Sequence, residues 1–156
     1  MKDKTAVLGD NTAFLAMSPD GFSGYPTLRE MPEAEGLWMT FAGKSLDGII
    51  KGGGAPAKFI EDYKAKYGAE PNSSYAMYGG VAMQVILKAI AASDGTRQGV
   101  LDAVFAGEQI CLTAEESISG MGFCLNQETG DVDTVTMTLQ QMTGGVETDI
   151  KTLDIK

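Results

Sequence analysis

The 156-residue chain has no histidine, one tryptophan and two cysteines. Without histidine there is no Ser-His or Cys-His relay and no His-containing zinc site. Two cysteines cannot supply a four-thiolate metal site either. Basic residues are scarce, 12 Lys and Arg against 21 Asp and Glu, for a net charge of −9. Nucleic acid is gripped through clustered Lys and Arg. No such cluster occurs, so nucleic acid and anionic membrane surfaces are poor candidates for partners. A long apolar run is also missing. The most apolar stretch, Tyr75 to Ala92, is interrupted by Gly79, Gly80, Gln84 and Lys88, whereas a membrane span takes about 18 to 20 apolar residues. Met1-Lys2-Asp3-Lys4-Thr5 is not followed by an apolar run of signal-peptide length.

An apolar content of 44% with 21% charged residues is that of a soluble globular protein able to bury one good core. The stretch that organises the chain is again Tyr75 to Ala92. Only Gln84 and Lys88 are strongly polar there, and they lie on one narrow stripe. The remaining positions cover nearly every other direction of a helix, which predicts a central helix buried on several sides. Pro71 ends what precedes it, and Asn72, Ser73 and Ser74 offer capping oxygens. Gly79-Gly80 costs helix stability, about 1 kcal/mol per glycine relative to alanine, and predicts close approach of another backbone.

Around that helix the chain reads as short strands and amphipathic helices. Thr12 to Met17 is an apolar run stopped by Ser18-Pro19-Asp20-Gly21, and Gly36 to Ala42 favours a strand. Gly43 to Ala55, rich in glycine, reads as a loop or a boundary between lobes. Pro56 opens an amphipathic helix on Phe59, Ile60, Tyr63 and Tyr67, closed by Gly68. Arg97 to Phe105 is a short helix behind the Asp94-Gly95-Thr96 turn, which supplies its cap. Strand fragments are predicted at Ile110 to Leu112 and Gly122 to Leu125, and longer strands at Thr134 to Met142 and Glu147 to Ile155 around Gly144-Gly145. Strands separated by helices indicate an α/β layered fold.

Few residues invite a chemical reading. Glu115-Glu116 could do acid-base work, but no apolar shell surrounds them and a solvated loop explains them. Gly52-Gly53-Gly54 lacks the Lys-Ser/Thr of a phosphate loop and reads as a hinge. Asn126 to Asp131 has oxygen ligands and a glycine, yet not the alternating acids or closing Glu of a calcium loop, and a β-turn accounts for it. Cys111 and Cys124 either pair or remain two buried thiols; spacing does not decide between them. Asp20 is the residue to single out. It follows a buried strand, at the sheet edge where open α/β folds bind ligands, although a turn or cap aspartate reads equally simply. Phe22 could wall the same cleft. Tyr75 and Tyr78 read as core.

Three motifs in order carry a resemblance: Ser18-Pro19-Asp20-Gly21-Phe22; then Tyr67-Gly68, a short acidic stretch, Pro71 and Tyr75-Ala76-Met77-Tyr78 entering a long Ala-rich helix; then Gly122 to Asp131. Together they resemble the branched-chain amino-acid (Leu/Ile/Val-binding) type of extracytoplasmic solute-binding protein of ABC importers, which has the type I periplasmic-binding-protein fold. The resemblance runs from about Thr12 to the C-terminus and implies the C-terminal portion of that two-lobed fold. The implied architecture is a three-layer αβα fold, incomplete. Residues 1–42 would belong to the second lobe and 43–135 to the first, with 136–156 crossing back to the second.

The resemblance implies binding of a small amino acid or related amide without catalysis or cofactor, an ABC permease as partner, and a periplasmic or extracellular location, lipid-anchored in a full-length protein. It implies that Asp20 contacts the ligand ammonium. Truncation would expose apolar surface, and with it association into homo-oligomers. Alternatives are a ligand sensor of the same fold, a fragment without binding activity of its own, or an acid-base enzyme, against which the missing histidine and motifs argue.

Overall fold

A computed structural model describes residues 17–19, 21 and 24–155. Its elements in chain order are β1 (Met17–Pro19), α1 (Pro26–Arg29), a 3₁₀ turn (Pro32–Ala34), β2 (Trp38–Ala42) and α2 (Leu46–Ile50). There follow α3 (Gly54–Tyr67), α4 (Tyr75–Ala91), α5 (Arg97–Phe105), β3 (Cys111–Leu112), β4 (Phe123–Cys124), β5 (Val135–Thr143) and β6 (Val146–Ile155). The strand expected from Thr12 lies mostly outside the described residues, which begin with its last residue, Met17.

The chain divides into two compact units. One holds the described residues through Ser45 together with Thr136–Asp154, and the other holds Leu46–Val135 and Ile155.

The first unit is built on a four-stranded sheet ordered β1-β2-β5-β6. β1 runs parallel to β2, with Pro19 opposite Thr40, and β2 runs antiparallel to β5, with Met39 opposite Gln140. β5 and β6 are joined through Gly144 and Gly145, both at positive φ of 61° and 79°, the conformation a two-residue hairpin demands. Side-chain pairs ascend one strand as they descend the other: Gln140 bonds Asp149, Thr138 meets Thr152, and Thr136 bonds Asp154. β5 alternates strictly between buried and less buried positions. At one end its buried face joins Leu28, Ala34, Leu37 and Met39 through Met142 in an apolar core.

The second unit is mostly helical. Ile49, Ile60 and Met77 form one core, with Leu46, Ile50, Phe59 and Tyr78 packed against it. Ala89, Ile110 and Leu125 form another, with Val85, Val100, Val104 and Phe123. α3 ends where expected, with Gly68 left-handed at φ 77° and its amide bonded to Lys64 O. Thr96 caps α5 by accepting from the Gly99 amide at 2.9 Å. The antiparallel pair β3–β4 sets Cys111 opposite Cys124, and the two are joined as a disulfide.

Several expectations are corrected. The described residues do not form three layers about a parallel sheet: apart from β1–β2 the pairings are antiparallel. The physical reason is connectivity, since the two-residue β5–β6 turn and the helix-free β3–β4 loop permit antiparallel return, whereas parallel pairing requires a crossover of about a dozen residues or more. The glycine-rich boundary contains a helix, α2, because Leu46, Ile49 and Ile50 reach an apolar core despite Gly48. Ser74 precedes α4 with helical φ and ψ, so its hydroxyl makes no cap bond. No backbone crowds Gly79, whose missing Cβ would meet open space. A Cβ at Gly80 would instead strike the side chain of Ile118 and sit 3.3 Å from the Phe59 ring.

The largest correction concerns the burial of α4. Met77 and Ala89 are buried, but Met83, Ile86, Leu87 and Ile90 are 53%, 46%, 57% and 44% exposed. At three- and four-residue spacing these four share one helix face. The covered side is the one carrying the polar stripe. Gln84 donates to Glu116 O and accepts from the Ile118 amide, while Lys88 donates to Cys111 O and pairs with Glu116.

Candidate functional site

Asp20 and Phe22, the predicted ligand contacts, lie outside the described residues. The elements flanking them are described. β1 ends at Pro19, level with Thr40 of β2, and the chain reappears at Gly24, whose amide donates to Glu147 Oε1 at 2.9 Å. Arg29 in α1 donates through Nε to Glu147 Oε2, also 2.8 Å from its Nη2. The Glu147 side chain is only 5% exposed. Burial alone raises its pKa, but the hydrogen bonds from Arg29 and the Gly24 amide, with the Arg29 charge, outweigh that and hold it below the usual carboxylate value. An ionised carboxylate on β6 thus fastens the segment that follows the Asp20–Phe22 stretch.

Sequence reasoning missed a second constellation in the same unit. The buried face of β5 carries Thr136, Thr138 and Gln140, and Gln140 is 1% exposed. Thr138 Oγ1 donates to Gly43 O at 2.7 Å, and the Gly43 amide donates to Thr136 O at 2.6 Å. Gln140 Nε2 donates to Asp149, which also accepts from Ser45 Oγ. Gln140 Oε1 has no hydrogen-bond partner among the described residues. The division between the units falls after Ser45 and before Thr136, so this network binds together the two chain segments at which one unit ends. The alternation of β5 was legible in the sequence; that its inward residues are polar gave the only signal of the network.

The other candidates resolve into structural roles. Glu116 accepts from the Thr113 amide and from Lys88, and these bonds lower its pKa. A carboxyl held ionised in this way is unsuited to donating a proton at neutral pH. Asn126 Oδ1 accepts from the amides of Glu128 and Thr129, and Gly130 N donates to Asn126 O, so the 126–131 stretch is a turn that spends its own oxygens. Gly53 and Gly54, at φ 66° and 64°, link α2 to α3. Tyr75 and Tyr78 meet edge to face at 6.0 Å; Tyr78 packs on a core, whereas Tyr75 is half exposed. Among the described residues no three His, Cys, Asp or Glu side chains gather in a way that could hold a metal ion.

No family model and no curated protein matches the chain. Among solved structures, it is similar to the leucine-binding protein LivK of Thermotoga maritima, with a TM-score of 0.66 and 24% identity over 88% of this chain. The fold is that of part of a type I periplasmic-binding protein. The chain spans about a third of the matched structure's length, 36%. Within that portion the pairing is mixed, and the α4 face formed by Met83, Ile86, Leu87 and Ile90 has no cover from the chain's described residues. No described helix is long and apolar enough to cross a membrane.

Proposed function

We propose that this chain is the C-terminal portion of a branched-chain amino-acid type solute-binding protein, an extracytoplasmic component of an ABC importer that binds a small amino acid or related amide. The observation that carries this reading is the fold likeness over 88% of the chain to a protein named for binding leucine. The Cys111–Cys124 disulfide supports the location, because disulfides persist in oxidising compartments. In this reading the sheet unit belongs to the second lobe and the helical unit to the first. Asp20, which follows β1 in sequence, pairs with the ligand's ammonium, with Phe22 against the ligand's side. The uncovered face of α4 is the seam for the part of the fold that the longer protein has and this chain does not.

The test is a thermal-shift screen of the twenty amino acids and their amides. It uses two proteins: the 156-residue chain and the longest natural polypeptide that contains it. A ligand that binds only the folded state raises the melting temperature. The expected result is a rise with leucine or another small aliphatic amino acid in the longer polypeptide. No shift with any of them in that polypeptide rejects the reading.

A further inference from the structure

Glu147 spends both carboxylate oxygens on one short piece of chain. Oε1 accepts from the Gly24 amide at 2.9 Å, and Oε2 accepts from Arg29 at 2.8 Å. A glutamine could not do the same. It has one acceptor oxygen and one NH₂, so it would set donor against donor at either Gly24 or Arg29. Glu147 is itself held by the β5–β6 hairpin, which lies close against α1 and the 3₁₀ turn after it. A Cβ on Gly145 would sit 3.0 Å from Arg29 O, and the Gly144 amide donates to Glu35 at 2.9 Å. At the other end Pro19 is fixed in β1 opposite Thr40. The four residues Asp20 to Ser23 therefore join two fixed points. Gly21 is exposed, with nothing within 4 Å of the place a Cβ would take, so packing there does not hold the stretch. Its freedom depends on how firmly its ends are held, and a contact made from it costs less ordering entropy once they are.

We propose that Glu147 is a positioning residue for ligand binding: by fastening Gly24 and Arg29 to β6 it presents Asp20 to the ligand's ammonium. It acts through Asp20 and not by contact with the ligand. The inference rests on the solute-binding reading above.

A double-mutant cycle read by leucine titration tests it. The cycle uses the longest natural polypeptide that contains this chain, well below the melting temperature of every variant. Glu147→Gln should weaken leucine binding about fivefold or more when Asp20 is present. In the Asp20→Ala background the same substitution should change affinity less than about twofold, because the group it positions is gone. Its effect on melting temperature should be the same in both backgrounds. Arg29→Ala, at a side chain 43% exposed and so tolerated by the fold, should repeat the pattern. Equal losses of affinity in both backgrounds would overturn the proposal, since a general loosening of the sheet unit adds to any other defect. So would unchanged affinity in the presence of Asp20. Failure of the unsubstituted polypeptide to bind leucine is a separate result: it removes the solute-binding reading, and this inference with it.

Discussion

The two units treat polarity in opposite ways. In the sheet unit, Thr136, Thr138 and Gln140 are turned inward, and Glu147 is almost wholly covered. In the helical unit, Met83, Ile86, Leu87 and Ile90 are turned outward. The inward polar groups are tolerated because nearly all find partners nearby: Gly43 O, Asp149, Thr152, Arg29. A buried polar group with a partner costs little, and one without costs about 1–3 kcal/mol. Among the described residues no element covers the outward apolar groups, because the loop that packs on α4 meets its other side, held by Gln84 and Lys88. One unit closes its polar interior with its own residues. The other leaves an apolar face uncovered by the described residues.

The sharpest way to break this contrast is at the disulfide, which ties β3 to β4 at the two ends of the stretch containing Thr113–Ile118. Replacing Cys111 and Cys124 with serine removes a cross-link closing a short loop, for which about 2–4 kcal/mol is typical. Chemical denaturation should show that loss, with amide exchange rising in residues 108–125 and staying unchanged in β2 and β5. Uniform acceleration everywhere would mean that the units do not unfold separately.

Glu147 is the corresponding pressure point of the sheet unit. Glu147→Gln keeps the shape but removes the charge that Arg29 and the Gly24 amide hold, and should cost about 1–2 kcal/mol. That range is discounted because the Arg29 side of the pair is 43% exposed and therefore screened. The pH dependence has a definite sign. The folded pKa of Glu147 is lowered, so its contribution is complete above the unfolded carboxylate value of about 4.3. It is lost as pH falls through the lower folded value. Melting temperatures taken between neutral and acid pH should fall less steeply for Glu147→Gln than for the parent chain.

A finer contrast lies inside α4. Gly79→Ala adds a methyl in open space and should stabilise by about 0.5–1 kcal/mol through helix propensity. Gly80→Ala places the same methyl against Ile118 and the Phe59 ring, and repacking should cancel that gain, leaving this variant about 1 kcal/mol less stable than its neighbour. Leu87→Glu should move stability by less than about 0.5 kcal/mol, as exposed substitutions do. A large loss would show that the face is covered within the chain.

Local signals were read well from the sequence. Gly68 stopped α3 and Thr96 capped α5, each through a backbone requirement that a few residues carry. The alternation of β5 followed from the period of a strand. The α4 stripe was visible, but a helix apolar on most sides does not say which side has a neighbour; that depends on where the Thr113–Ile118 loop returns. α2 escaped notice because the pull of Leu46, Ile49 and Ile50 into a core is tertiary, while the glycines around them are local. The Thr136–Thr138–Gln140 network was hidden for the same reason, its partners lying far away in sequence at Gly43 and Ser45. Asp20 rests on the Ser18-Pro19-Asp20-Gly21-Phe22 motif and its place after β1.

The most direct test of the solute-binding account is calorimetric titration of leucine into the longest natural polypeptide carrying this chain, unsubstituted and as Asp20→Ala. A carboxylate paired with a ligand ammonium away from water should cost about 2–5 kcal/mol when truncated. The account therefore predicts saturable binding that weakens at least about 30-fold in the variant. Unchanged affinity with a lowered melting temperature would contradict it, returning Asp20 to a turn.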